Sequence, residues 1–194
     1  MINSFLEALE NKDTKQETYC FVSPTTQITL GELAKKLTAF RKTRENLFLP
    51  SLESRFDRQL YGTYLSYLEP NDFGYDLKKN SDPRGWLAEF IKAPDFGQVF
   101  VSKTFPGITR GNHWHHTKAE KFLVIQGTGV IRFRNIFSSE VIEYPVDGEQ
   151  PKVLDIPTGY THNITNTGDD ILITLFWSTE IFDPTRPDTH FMEV

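Results

Sequence analysis

The sequence predicts a mainly β protein, a small barrel or sandwich of short strands preceded by an α-rich segment. Three observations carry that prediction. After residue 84, apolar runs at 84–92, 98–105, 109–115, 119–126, 129–135, 140–145, 151–156, 161–166 and 170–178 are punctuated by Gly and Pro. They recur about every ten residues, the rhythm of antiparallel barrels and sandwiches. The first part of the chain instead carries apolar residues at helical spacing. Composition changes near residue 80, where Asn80-Ser81-Asp82-Pro83 reads as a linker. The expected division is an α-rich segment over 1–80 and the barrel over 81–194.

Within the first segment, Asn3 or Ser4 can cap a short helix through Phe5, Leu6 and Leu9. Tyr19 to Val22 reads as a short strand ending in a Ser23-Pro24 turn. Thr29 and Glu32 have the spacing of a capping box, in which each satisfies the other's free backbone N–H. Leu30, Leu33, Ala34, Leu37 and Phe40 follow, so that helix is expected to bury one face. Pro50 breaks the pattern, and a Tyr- and Leu-rich stretch runs from Leu60 to Leu68. In the barrel segment, two strands are apolar on both faces. Phe122 and Val124 share a face with Glu120, with Leu123 and Ile125 opposite; Leu172 and Phe176 oppose Ile171, Ile173, Leu175 and Trp177. A small barrel needs only its inner face apolar, so the outer face is expected to be covered by the N-terminal segment or by a second subunit, and a homodimer is expected.

Composition narrows the function classes. A net charge of -5 with scattered Lys and Arg argues against nucleic acid as a partner. A single cysteine, Cys20, rules out an internal disulfide and fits a reducing cytoplasm. No apolar stretch has the length of a membrane span and no signal-peptide pattern opens the chain, so neither a membrane partner nor export is expected.

The chemistry concentrates between Gly107 and Asn166. Gly107 is followed by His113-Trp114-His115, Glu120 and Gly127, and then by Pro157-Thr158-Gly159, His162 and Asn166. Side chains at i and i+2 of a strand share a face, so His113 and His115 project together. Three imidazoles and a carboxylate form a mixed N/O donor set suited to a divalent metal, with His113, His115, Glu120 and His162 as the ligands. This pattern resembles the cupin superfamily, which carries two such motifs on a double-stranded β-helix, a jelly-roll barrel. The first motif matches at every fixed position. In the second, the glycine usual six residues before the proline is replaced by Pro151, with Gly148 three residues earlier, which leaves the turn into that hairpin open.

The resemblance sharpens over Gly111 to Lys118, Glu120 to Val124, Val130 to Arg134 and Gly159 to Asn163, which look like the C-terminal cupin domain of CapF-type enzymes of capsular and O-antigen nucleotide-sugar biosynthesis. Ile28 to Leu33 and Arg44 to Leu47 look like the tail of the short-chain dehydrogenase domain of those bifunctional enzymes. The resemblance implies C3 epimerisation of a UDP-linked 4-keto deoxy-aminosugar by the cupin domain, with NADPH-dependent reduction in the dehydrogenase domain. No glycine-rich turn follows a strand, so no NAD(P) is expected on this chain, and a separate dehydrogenase domain is an expected partner. Tyr75 and Lys79 have the spacing of the dehydrogenase pair but fall in the linker.

Epimerisation beside a ketone needs a base, a proton donor and stabilisation of the enolate oxygen. The candidate catalytic residues are Tyr160, as proton donor or else packing at the hairpin mouth, His116, as base or else a surface or interface residue, and Lys121. Lys118 and Lys121 are both expected to be solvated, though either could reach a diphosphate. Arg132 and Arg134 share a strand face and are the candidate clamp on the substrate's diphosphate, or else an exposed face. Zinc is the expected ion, since epimerisation involves no redox change. Three other readings stay open: a metal-free barrel with histidine as base, a non-catalytic binding or dimerisation module of a split or truncated reductase, and an iron dioxygenase.

Overall fold

The computed structural model describes residues 2–10 and 25–194. The expected Tyr19 to Val22 strand, its turn and Cys20 lie outside the described residues. Among the described residues, three α-helices and a 3-10 turn at Pro70–Asp72 come first: α1 (Ile2–Glu10), α2 (Leu30–Asn46) and α3 (Arg55–Ser66). The capping box of α2 forms as expected, with Thr29 accepting from Glu32 N–H while the Glu32 carboxylate accepts from Thr29 N–H. The expected buried face does not form as a stripe. Phe40 and Thr43 are buried, but Leu30 is 85% exposed: α2 meets α3 where Phe40 packs on Tyr61 and Tyr64 and where Lys36 pairs with Asp57 at 2.7 Å, which leaves Leu30 uncovered.

Eleven strands follow among the described residues: β1 (Lys79–Asp82), β2 (Gly85–Ala93), β3 (Gly97–Thr104), β4 (Thr109–Trp114), β5 (Glu120–Gln126), β6 (Thr128–Asn135), β7 (Val141–Asp147), β8 (Val153–Ile156), β9 (Tyr160–Asn166), β10 (Leu172–Ser178) and β11 (His190–Phe191). They form two antiparallel sheets, ordered β1-β2-β3-β10-β5-β8 and β11-β4-β9-β6-β7. The nine expected strands are all present. The stretch read as a linker is instead β1, which pairs with β2 from Lys79↔Ala88 to Asp82↔Gly85. Its four exposed polar residues carry no alternation; only the hairpin partner makes them a strand.

The core lies between the sheets. Phe122 and Val124 of β5, Leu172 and Phe176 of β10, and Leu154 and Ile156 of β8 face Ile131 and Phe133 of β6 and Ile164 of β9. Phe176 stacks on Phe100 at 4.9 Å and meets Phe122 edge-on at 4.4 Å between ring centres. The turn left open by the displaced glycine is built by Gly148: its N–H donates to Gly127 C=O, and a Cβ there would lie 2.6 Å from Gln126 Cα. The outer faces of β5 and β10 are incompletely covered, with Ile125 44% exposed and Ile173, Leu175 and Trp177 half-buried.

Candidate metal centre

A β-bulge positions the first two histidines. Gly111 and Asn112 both take positive φ, 106° and 60°, and a Cβ at Gly111 would lie 2.7 Å from His162 C=O. The register between β4 and β9 shifts there, so that His113 pairs with His162 across the sheet. The ring centres of His113 and His115 are 4.9 Å apart, and those of His113 and His162 are 4.7 Å apart. Glu120, the first residue of β5, reaches across from the facing sheet. The four expected ligands are therefore brought together, and their donor atoms all lie within 4.8 Å of one another. One ion with ligand bonds of roughly 2.0–2.2 Å would bridge about that span.

The tautomers support a cation. His115 Nδ1 contacts the Asp188 backbone carbonyl, and His162 Nδ1 lies 3.2 Å from the Tyr160 carbonyl. A carbonyl only accepts, so both Nδ1 atoms carry the proton and a neutral ring turns its Nε2 lone pair inward. Both Nε2 atoms then face one carboxylate oxygen, Glu120 Oε2, at 3.2 Å from His115 and 3.3 Å from His162. The His162 contact lacks hydrogen-bond geometry, and its fully buried Nε2 has no partner. Converging lone pairs repel unless a positive charge sits among them, and that is the fit test a divalent ion passes.

Electrostatics agree. Burial lowers the His113 pKa to about 4, with His162 and His115 adding to the effect and Glu120 opposing it. Burial works against the Glu120 charge, yet positive charge on the side of His115 and His162, the place a bound cation would take, outweighs it and holds the carboxyl below its ordinary range. Both residues are thus in their metal-binding forms at neutral pH. The metal-free protein is expected to lose stability in acid. Between 6.5 and about 4 the unfolded chain takes up the His113 proton that the folded chain refuses, so stability falls as pH drops through that window. That loss is on the order of 3 kcal/mol. Glu120 contributes fully above its unfolded value of 4.5 and loses that contribution as pH falls further. Urea midpoints of chelator-treated protein measured across this range check the prediction, and equal midpoints throughout would refute it.

The cluster opens onto a cavity of about 300 Å³, lined by His113 and Glu120, by Arg84 and Arg110, and by the apolar Leu87, Phe100, Phe122, Ile164 and Phe176. The other expected site residues stand elsewhere. Tyr160 lines a different cavity with Phe133, Tyr144 and Pro157. His116 is exposed on the outer side, where its ring meets Trp114 at 5.6 Å. Lys121 is exposed and pairs with Asp155. Arg132 is engaged by Glu143 and Thr165, and Arg134 by the Ser138 and Glu193 carbonyls, on the face opposite the buried Ile131 and Phe133. Lys118, expected to be solvated, is instead buried, with its Nζ 4.0 Å from Glu120 Oε1.

One residue went unnoticed in the sequence. The Asp188 carboxylate accepts from the backbone N–H groups of His116, Thr117 and Lys118 at 2.8–3.0 Å, and from the Thr117 hydroxyl at 3.2 Å. Burial resists this charge, but those donors hold the carboxyl well below the usual range. Asp188 thereby fixes the turn between His115 and Glu120 while its carbonyl fixes the His115 ring.

The fold and the site define a cupin with a three-histidine, one-glutamate centre fit for a divalent ion. The chain matches the family described as "Polysaccharide biosynthesis C-terminal domain" over residues 80–190 and belongs to that family. It is 39% identical over 194 residues to a Pseudomonas aeruginosa UDP-2-acetamido-2,6-beta-L-arabino-hexul-4-ose reductase, covering 100% of this chain and 52% of the relative. Among solved structures, the capsular polysaccharide assembling protein CapF of Staphylococcus aureus is 50% identical with a TM-score of 0.90, covering 100% of this chain and 56% of that one. A CapF structure with the inhibitor 3-isopropenyl-tropolone has a TM-score of 0.91 at the same identity. The chain spans about half the length of these relatives.

Proposed function

We propose that this chain is a metal-dependent epimerase domain of capsular or O-antigen nucleotide-sugar biosynthesis, acting at C3 of a UDP-linked 4-keto deoxy-aminosugar. The observation that carries the reading is the convergence of three imidazoles and a carboxylate at the cavity, with His113 and Glu120 on its wall. A divalent ion held by His113, His115, Glu120 and His162, zinc in this proposal, would supply Lewis-acid polarisation of a carbonyl oxygen. The chain's own residues do the rest. Phe100, Phe122 and Phe176 exclude water from the ring, and a low dielectric strengthens every charge–dipole contact at the ketone. The C3–H bond breaks as a base takes the proton, its electron pair moves into the enolate, and a proton returns on the opposite face with no net redox change.

The relatives' names support a sugar-nucleotide substrate, and the length difference supports a dehydrogenase domain as partner. Incubation with the 4-keto nucleotide sugar in D₂O tests the reading: one deuterium at C3, dependent on bound zinc, is expected. A folded, metal-loaded protein that incorporates none would favour the binding-module reading. The proposal places the protein in the cytoplasm, in keeping with its single cysteine. Among the described residues no helix is long and apolar enough to cross a membrane.

A homodimer belongs to the same proposal. Ile125 on β5 and Val153 on the neighbouring β8 remain 44% and 55% exposed, apolar surface that a second copy would cover. Light scattering at micromolar concentration is expected to give twice the 22.4 kDa chain mass, and a clean monomer would refute it.

A further inference from the structure

The cavity holds a second charged element that the metal cluster does not use. Asp82, the last residue of β1, accepts from Arg84 Nε at 3.0 Å and Nη2 at 2.6 Å on one oxygen, and from Arg110 Nη2 at 3.3 Å on the other. Two guanidinium groups share one carboxylate, so one positive charge is left uncompensated. Arg84 stands on the solvent side with 52% of its side chain exposed, and Arg110 lies deeper at 13%. Both line the same cavity as His113 and Glu120. Arg110 Nε is buried and has no hydrogen-bond partner among the described residues. Burial disfavours the Arg110 charge, Asp82 offsets this only in part, and Arg84 adds to it. Arginine stays protonated even so, and a nearby anion would relieve that unfavourable setting.

The size of the cavity says which part of a ligand sits where. About 300 Å³ is at the lower limit of small-molecule sites, enough for one sugar ring and too little for a whole nucleotide sugar. We infer that Arg84 and Arg110, held in place by Asp82, bind the pyrophosphate of a nucleoside-diphosphate sugar whose ring enters the cavity beside His113 and Glu120. Planar guanidinium forks match phosphate oxygens in pairs, and a side chain already fixed by Asp82 loses little freedom on binding. The forks of Arg132 and Arg134 are occupied on the outer face, so the diphosphate role expected of them passes to this pair. The inference rests on the sugar-nucleotide reading above.

Calorimetric titration of the zinc-loaded chain with UDP, and separately with inorganic pyrophosphate, tests it. Both ligands are expected to bind the unaltered protein. Arg110→Gln is expected to weaken UDP at least about tenfold, and Arg84→Gln to weaken it by a smaller factor, with zinc content unchanged. Arg110→Lys, which keeps the charge but loses the fork, covers the case in which the glutamine variant does not fold, and is expected to recover only part of the affinity. Absence of UDP binding by the unaltered protein, affinity in both glutamine variants equal to that of the unaltered protein, or a loss caused by Arg132→Gln alone would each overturn the pair as the anion site. Deuterium exchange at C3 is scored independently. Exchange with Arg-independent UDP binding sinks only the anion site, and Arg110-dependent UDP binding without exchange sinks only the epimerase reading.

Discussion

On the proposed epimerase reading, His115→Ala is expected to abolish binding of the divalent ion and C3 exchange while the barrel stays folded. The ring is 2% exposed, its Nδ1 is held by the Asp188 carbonyl, and its Nε2 points at Glu120. Without it, one of the four converging donor groups that would hold the ion disappears. Exchange should fall by at least about 10²–10³-fold, the scale seen when a group stabilising an oxyanion is lost. Stability should change much less than activity, because the core of Phe122, Phe176, Ile131 and Ile164 does not depend on the ring. His116→Ala is the control: its side chain is exposed and only its backbone N–H is tied to Asp188. Elemental analysis and exchange on both variants decide the matter. Loss of exchange in His116→Ala with full exchange in His115→Ala would mean that the base and ligand assignments must be swapped.

The sequence made the donor set legible because strand alternation is a short-range rule. His113 and His115 are two residues apart, and Glu120 opens a strand whose Phe122 and Val124 mark the inward face. The nine barrel strands were legible for the same reason. What escaped depends on pairing and on distance in the chain. β1 is short and polar and β11 is only two residues, His190 and Phe191, and both exist through their partners β2 and β4. Arg84 and Arg110 stand 26 residues apart and meet only because Asp82 bridges them. Arg132 and Arg134 lay on the side opposite Ile131 and Phe133, as alternation showed, but the sequence did not reveal that Glu143 and two backbone carbonyls already occupy them. The face of α2 from Leu30 to Leu37 has the right periodicity, and periodicity alone does not supply a surface to bury it against.

If the centre holds zinc as proposed, Asp188→Ala is expected to weaken its binding about 10- to 100-fold, although Asp188 is not among the four converging donors. Supporting groups of this kind typically carry an effect of that size, since they fix the orientation of the residues that hold the ion. The carboxylate gathers three backbone N–H groups and one hydroxyl from the turn that joins His115 to Glu120. Removing it leaves those N–H groups without an acceptor and lets the spacing between the two ligands drift. The backbone carbonyl that orients His115 survives the substitution, so the alanine variant isolates the carboxylate's role. Asp188→Asn keeps one acceptor oxygen but turns an amide N–H₂ toward the same donors, and is expected to fall between the alanine variant and the unaltered protein. Zinc affinity measured by chelator competition gives the primary reading. The ratio of lost zinc affinity to lost stability separates positioning from a merely structural role. If both variants lose stability by denaturant titration but hold zinc as tightly as the unaltered chain, then the strap formed by the C-terminal residues supports the barrel and not the centre.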